Sequence, residues 1–142
     1  MKMIIELPNH KCISWNSIYS TKHWSVRATL AQEIHELVHL YICQQYAMKG
    51  KLPPKFKRCE ITITAYFKGK RRHDISNICE KIYEDGLVMA GIIDDDNLNI
   101  VVGIHKFAYN DQKEDKVVIE IEERPIKYEW KSYGPKDFKE VK

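Results

Sequence analysis

Several features that would place this chain in a familiar class are missing from its sequence. Its four cysteines are scattered without a C-x-x-C pair, and its N-terminus has no apolar leader. We therefore expect a cytoplasmic, reduced protein without structural zinc. No apolar run approaches membrane-spanning length, so we expect neither a transmembrane role nor a membrane partner.

A strong excess of one charge is missing as well. The formal net charge is +3, which is too small to indicate a nucleic-acid partner, so only local clusters of charge can do so. The 142 residues, 44% of them hydrophobic, suit one core. We expect one domain over residues 1–123, and a tail, 124–142, that is disordered, packs across a dimer or touches DNA.

Hydrophobic periodicity predicts the element order β-α-β-α-β-β. Strands are predicted at 3–7, 59–67, 98–107 and 117–122, and helices at 25–46 and 76–90. The last two strands, joined by a polar turn at 110–115, are expected to form an antiparallel hairpin. The predicted fold class is therefore α/β (α+β), a single small domain with a mixed sheet and two main helices.

Caps and buried faces can be predicted for both helices. The first is expected to use Ser25 as its N-cap and the second to end at Gly91. The predicted buried stripe of the first is Val26, Leu30, Ile34, Leu37 and Tyr41. That of the second is Ile75, Ile78, Cys79, Ile82, Gly86 and Met89. The loop before the first helix is expected to cover the core with Trp15, Tyr19 and Trp24.

Residues that suit chemistry concentrate between positions 68 and 97. A basic run comes first, formed by Lys68, Lys70, Arg71 and Arg72, and is followed by Asp74 and later by Asp94, Asp95 and Asp96. Lysine and arginine suit contacts with phosphates, whereas aspartates are hard oxygen ligands for Mg²⁺ or Mn²⁺. The combination is typical of metal-assisted phosphodiester cleavage.

Helical spacing would bring several of these side chains together. Asn77, Lys81 and Asp85 follow Asp74 by three, seven and eleven positions, so we expect them on one face of the second helix. For a single metal site, the triple aspartate (94–96) must fold back beside Asp74. A helix followed by an antiparallel strand would allow this.

Two other segments carry alternative interpretations. The first helix contains His35-Glu36-Leu37-Val38-His39, the H-E-x-x-H pattern of zinc peptidases. Both histidines lie off the apolar stripe, and a third ligand would have to be Glu80 or Glu84, which nothing singles out, so solvated histidines are the favoured interpretation. The basic segment 49–58 is interpreted as a solvated loop, with a second phosphate-contacting patch as the alternative.

The 68–97 stretch resembles the RusA family of Holliday-junction resolvases, whose core reads R-x-D-x-D-N, then a helix lysine, D-x-L, a glycine and a D-D pair. The matching residues are Arg72-His73-Asp74-Ile75-Ser76-Asn77, Lys81, Asp85-Gly86-Leu87, Ala90-Gly91 and Asp95-Asp96-Asn97. The element order agrees more loosely over the first 123 residues.

The resemblance implies a homodimeric endodeoxyribonuclease that resolves four-way junctions of branched DNA by paired nicks. It implies Mg²⁺ or Mn²⁺ held by Asp74, Asp95 and Asp96, with Asp74, Lys81 and Asp96 as catalytic residues. It also implies contacts with DNA by Lys68, Lys70, Arg71, Arg72 and Asn77.

Two positions depart from the family pattern. Ser76 stands where the family has its second aspartate, and Lys81 lies one residue farther along than expected. Asp94 or Asp95 could replace the lost carboxylate, or the site could be weakened. The first alternative function is therefore a junction-binding protein without cleavage, and the second is a zinc peptidase built on His35, Glu36 and His39.

Overall fold

The computed structural model describes residues 1–19 and 23–125, and most of the predicted tail lies outside them. The regular elements are β1 (Lys2–Pro8), α1 (Trp15–Tyr19), α2 (Trp24–Gln45), β2 (Cys59–Lys68), α3 (Glu80–Met89), β3 (Val101–Gln112) and β4 (Lys116–Glu123). Single 3₁₀ turns lie at Ala47–Lys49 and Ile75–Asn77. Within the described part of the chain, no helix has the length and apolar character needed to cross a membrane. The fold is a small α+β domain.

The four strands form one mixed sheet in the order β1-β4-β2-β3. β2 pairs in parallel with β3 and antiparallel with β4, and β1 pairs antiparallel with β4. The predicted hairpin is wrong, because β3 and β4 lie on opposite sides of β2. The helix α3 returns the chain to the start of β2, so β3 must run parallel to it. The turn after β3 then crosses the end of β2, where the Lys68 amide donates to Asp115 Oδ1 over 2.9 Å.

The core lies between one face of the sheet and the helices α2 and α3. Every second residue of β2 is buried as predicted, namely Cys59, Ile61, Ile63, Ala65 and Phe67. The predicted stripe of α2 is confirmed in part. Ile34 is buried as predicted, and Leu30, Leu37 and Tyr41 are partly buried against the core, but the other fully buried residues are Val38 and Ile42. Val38 faces the core because it packs against Gly86 of α3, which has no side chain. A Cβ atom at Gly86 would lie only 3.3 Å from Val38 Cγ2. Val26 is left 56% exposed.

The start of α2 also differs from the prediction. Its N-cap is His23, whose Nδ1 accepts a hydrogen bond from the Ser25 amide over 3.3 Å. Trp15 lies in α1 and packs against the core as predicted, whereas Trp24 is 70% exposed. The side chain of Tyr19 lies outside the described residues.

The second predicted helix is interrupted. After the 3₁₀ turn Ile75–Asn77, Ile78 forms a β-bridge with Ser14, and the Cys79 amide donates to the Ile13 carbonyl over 2.9 Å. These contacts with the loop draw residues 78 and 79 out of helical conformation, so α3 begins only at Glu80.

The predicted buried face of the second helix is confirmed in its middle and wrong at its two ends. Ile78, Cys79, Ile82 and Gly86 are buried as predicted, whereas Ile75 and Met89 are exposed, and Tyr83 and Leu87 are fully buried as well. The helix ends at Gly91 as predicted, since its φ of +78° allows the Gly91 and Ile92 amides to reach the last turn.

The loop before α1 is held to the helix by one buried tyrosine. The Tyr83 hydroxyl accepts a hydrogen bond from the Ile13 amide over 3.0 Å and lies 2.7 Å from His10 Nε2. The loop therefore has a fixed position beside the start of α3, and this position forms one wall of the cleft described next.

Candidate nucleic-acid and metal site

A cleft of about 570 Å³ lies between the loop at residues 11–17 and the segment at residues 71–78. Its charged and amide-bearing lining residues are Lys11, Asn16, Arg71, Arg72, Asp74 and Asn77. One carboxylate therefore shares the cleft with three cations. Such a lining attracts a polyanion while keeping one hard oxygen ligand at the surface.

Asp74 occupies the position just before the 3₁₀ turn. Its backbone is extended, and its side chain does not cap the turn. The carboxylate is 70% exposed, and its Oδ1 lies 3.8 Å from Arg72 Nε. Asp74 is thus accessible to a ligand in the cleft.

Asn77 has a structural partner in this cleft. Its Oδ1 accepts a hydrogen bond from the Asn16 amide over 2.9 Å, which ties the two walls together. The sequence predicts Asn77 as a DNA contact. The structure shows that its side-chain oxygen positions the loop.

The basic loop, residues 68–72, is exposed and leads into the cleft. The Arg72 side chain is 92% exposed. The loop is anchored at its end by His73, whose ring stacks on Phe67 at 3.8 Å with an interplanar angle of 11°. Burial lowers the pKa of His73, and the charges of Lys11 and Arg71 act in the same direction. The lowered pKa favours the neutral form of His73, whose ring fixes the end of the loop, while the exposed cations of the loop are accessible to phosphates.

The acidic turn, residues 94–96, follows α3 and is structured by its own hydrogen bonds. Asp95 accepts from the Asp96 amide over 2.8 Å and from Asn97 Nδ2 over 3.0 Å. These two hydrogen bonds lower the pKa of Asp95, and the bond from the Asp96 amide has the larger effect. Asp94 forms an ion pair with Lys55 over 2.6 Å. The turn presents carboxylates held in defined orientations.

Lys81 lies against this turn. Its ammonium contacts Asp96 and lies 3.1 Å from Asp85 Oδ1. The hydrogen bond to Asp96 is the main reason that the pKa of Lys81 is raised well above its usual value. The predicted shared helical face with Asp74 is wrong, because Asp74 lies outside α3, which begins only at Glu80 after the break at residues 78 and 79. Lys81 is instead a fixed positive charge at the acidic turn.

The three candidate metal ligands, Asp74, Asp95 and Asp96, do not lie together in one group. Within residues 1–19 and 23–125, no three His, Cys, Asp or Glu side chains come close enough together to hold a metal ion. Asp74 in the cleft and Asp95 and Asp96 in the turn are therefore two separate sets of oxygen donors. Ser76, at the family's second aspartate position, is exposed.

Two of the three H-E-x-x-H residues, Glu36 and His39, have partners on α2, whereas His35 Nε2 is buried with no hydrogen-bond partner among the described residues. Glu36 Oε1 accepts from Gln32 Nε2 over 2.9 Å, and His39 Nε2 lies 3.4 Å from Cys43 Sγ. The Glu80 carboxylate, one of the two possible third ligands, is bound by Lys106 over 2.7 Å and by the Trp15 indole over 3.3 Å.

Glu84 is a candidate functional residue that the sequence interpretation did not single out. It is only 8% exposed on α3. Burial raises its pKa to about 7, and the nearby Asp96 carboxylate acts in the same direction. With α3 beginning at Glu80, helical spacing places residue 84 beside the buried residues 83 and 87. The sequence pattern does not show that the helix begins only at Glu80, so it did not indicate that Glu84 is buried.

We expect Glu84→Gln to stabilise the protein at alkaline pH. Since folding raises this pKa from 4.5 to about 7, the contribution of protonated Glu84 to stability is present below about pH 4.5 and is lost as the pH rises through about 7. In EDTA, the variant should exceed wild type by about 1–3 kcal/mol in free energy of unfolding at about pH 8, and the gap should close toward about pH 5. Urea denaturation at both pH values measures this. The exposed Glu33→Gln serves as control, and a gap that does not vary with pH would contradict the prediction.

Comparison with known proteins adds no relative: no protein-family model matches the chain, and no curated protein matches it. The resemblance to the RusA family therefore depends on the quoted motif residues and on the element order alone.

Proposed function

We propose that this protein is a RusA-like, metal-dependent endodeoxyribonuclease that acts on branched DNA. The observation that carries the proposal is the cleft in which the exposed Asp74 lies among Lys11, Arg71 and Arg72. Cations that bind phosphates are found there beside a carboxylate that can bind a metal, which is the combination that phosphodiester cleavage requires.

Each set of residues has a proposed part in binding. Arg71 and Arg72 contact the DNA backbone from the exposed loop, with Lys11 on the opposite wall. Lys81 supplies a fixed positive charge at the acidic turn, where it meets a phosphate as negative charge develops. These contacts position DNA across the cleft and the start of α3 without reading its sequence.

The proposed metal ligands are Asp74 in the cleft and, as a separate set, Asp95 and Asp96 in the acidic turn. Mg²⁺ or Mn²⁺, when bound, would polarise the phosphodiester and supply a hydroxide. Asp95 is already ionised and oriented by the Asp96 amide and by Asn97. Lys81 forms an ion pair with Asp96 and therefore competes with a metal ion for this carboxylate.

A homodimer belongs to the proposal. Two opposed strands of a four-way junction can be cut symmetrically only if two equivalent sites face them, and a C₂ dimer provides two such sites. A protein that stays monomeric at working concentration would count against junction resolution.

One alternative is favoured by a specific observation. Ser76 replaces a carboxylate, and no three ligands are gathered in the described ranges. A protein with this fold could therefore bind junctions through its basic loop and cleft without cutting them.

Cleavage of a labelled four-way junction tests the proposal. Linear duplex of the same sequence is assayed beside it, each with Mg²⁺, Mn²⁺ or EDTA. We expect nicking of the junction in the presence of a metal ion and none in EDTA. Junction binding without cleavage under every condition would establish the binding-only alternative, and the absence of both would reject the two functions together.

A further inference from the structure

The face of the sheet opposite α2 and α3 carries a group of exposed aromatic side chains. The inward residues of β2 are buried, so the pairing register assigns Thr62, Thr64 and Tyr66 to the outer face. Their partners on β3 are His105, Phe107 and Tyr109. Because β3 is an edge strand, these three rings line one border of the sheet.

Two of these rings expose half of their surface. Phe107 is 51% exposed and Tyr109 is 50% exposed. Tyr109 also stacks on Tyr66, with ring centroids 5.6 Å apart and an interplanar angle of 24°. The result is a pre-formed aromatic surface in which Phe107 and Tyr109 are half exposed, and such side chains lose little conformational freedom when a ligand binds.

The charges differ between the two ends of this surface. At one end, Lys113 and Lys116 lie with Asp111 and Glu114 around Tyr66, and the Lys116 ammonium is 4.9 Å from the centre of the Tyr66 ring. Near the same end, the Asp111 amide donates to the Gly69 carbonyl over 2.7 Å, which joins the end of β3 to the basic loop. The opposite end of the face carries Glu60 and Glu122, which are paired across the strands and share Arg124. Phosphates are therefore attracted toward residues 68–72 and repelled from the other end.

We propose that Tyr66, Phe107 and Tyr109 form a stacking platform for unpaired bases of single-stranded DNA. Bases in a duplex are stacked on each other and offer no free faces, whereas those of a single strand can stack on aromatic rings. A strand that leaves the platform past Lys116 reaches the basic loop, whose role in binding DNA rests on the proposed function. The platform would bind the unpaired segments of a branched substrate.

Binding of a fluorescently labelled oligo-dT in EDTA tests this proposal without requiring cleavage. Tyr109→Ala and Phe107→Ala should each weaken binding by about 5- to 100-fold, since each removes one stacking surface. Tyr109→Phe keeps the ring and should bind within about twofold of wild type. Leu40→Ala, an exposed apolar side chain on α2, is the matched control. Affinity for blunt linear duplex should be unchanged in every variant.

Several outcomes would overturn the proposal. Oligo-dT affinity that is unchanged in both alanine variants would show that no base stacks on these rings, as would a wild type that does not bind. A second copy of the chain is the other possible occupant of this surface, and sedimentation of the same variants tests it. If the alanine variants dissociate an oligomer but keep their oligo-dT affinity, the surface binds a second copy and not DNA. If junction cleavage fails while Tyr109→Ala still loses oligo-dT binding, the platform stands and only the nuclease proposal fails.

Discussion

Phe56→Ala is expected to lower the free energy of unfolding by about 3–5 kcal/mol, although Phe56 belongs to a segment without regular structure. Its side chain is only 1% exposed within the core. Its amide donates to the Ile92 carbonyl over 2.9 Å, which joins the segment before β2 to the chain that leaves α3. Loss of the ring leaves a cavity in the core close to the acidic turn.

Leu52→Ala is the control for this prediction, because Leu52 lies in the same segment and is 91% exposed. We expect it to change stability by less than about 0.5 kcal/mol. Urea denaturation of both variants, with the slope compared as well as the midpoint, measures the difference. Equal effects of the two substitutions would show that Phe56 does not belong to the core in solution.

Asp74→Asn is expected to reduce metal-dependent junction cleavage by at least about 100-fold. Substituting a residue that supports a metal ligand already costs about 10–100-fold, so removal of a proposed ligand should cost more. Binding of the junction in EDTA should be retained or strengthened, because the variant removes a negative charge from a cleft lined by Lys11, Arg71 and Arg72. Parallel measurements of cleavage and binding separate a chemical role from a structural one.

Glu36→Gln provides the matched control for Asp74→Asn. It neutralises an exposed carboxylate on α2, outside the cleft, and should leave junction cleavage unchanged. It also tests the H-E-x-x-H motif, in which this glutamate would be the general base. A loss of cleavage in Glu36→Gln together with an active Asp74→Asn would reject the proposed site.

Local patterns were sufficient for those parts of the fold that depend on neighbouring residues. The alternation in 59–67 correctly predicted which face of β2 is buried, because side chains in a strand alternate between its two faces. Gly91 was correctly predicted as the end of a helix, since it tolerates a positive φ. The clustering of basic residues before Asp74 was also evident, and Arg71, Arg72 and Asp74 do line one cleft.

Local sequence patterns thus suffice to predict the four strands, the two main helical regions and the two groups of charged residues. Their arrangement depends on long-range contacts. Contacts of residues 78 and 79 with Ser14 and Ile13, far away in the chain, interrupt the second helix and leave Asp74 outside the helix that carries Lys81. Long-range packing likewise buries Phe56 and Glu84 and places β3 and β4 on either side of β2. No periodicity within a short segment records such contacts, because the energy that stabilises them comes from residues elsewhere in the chain.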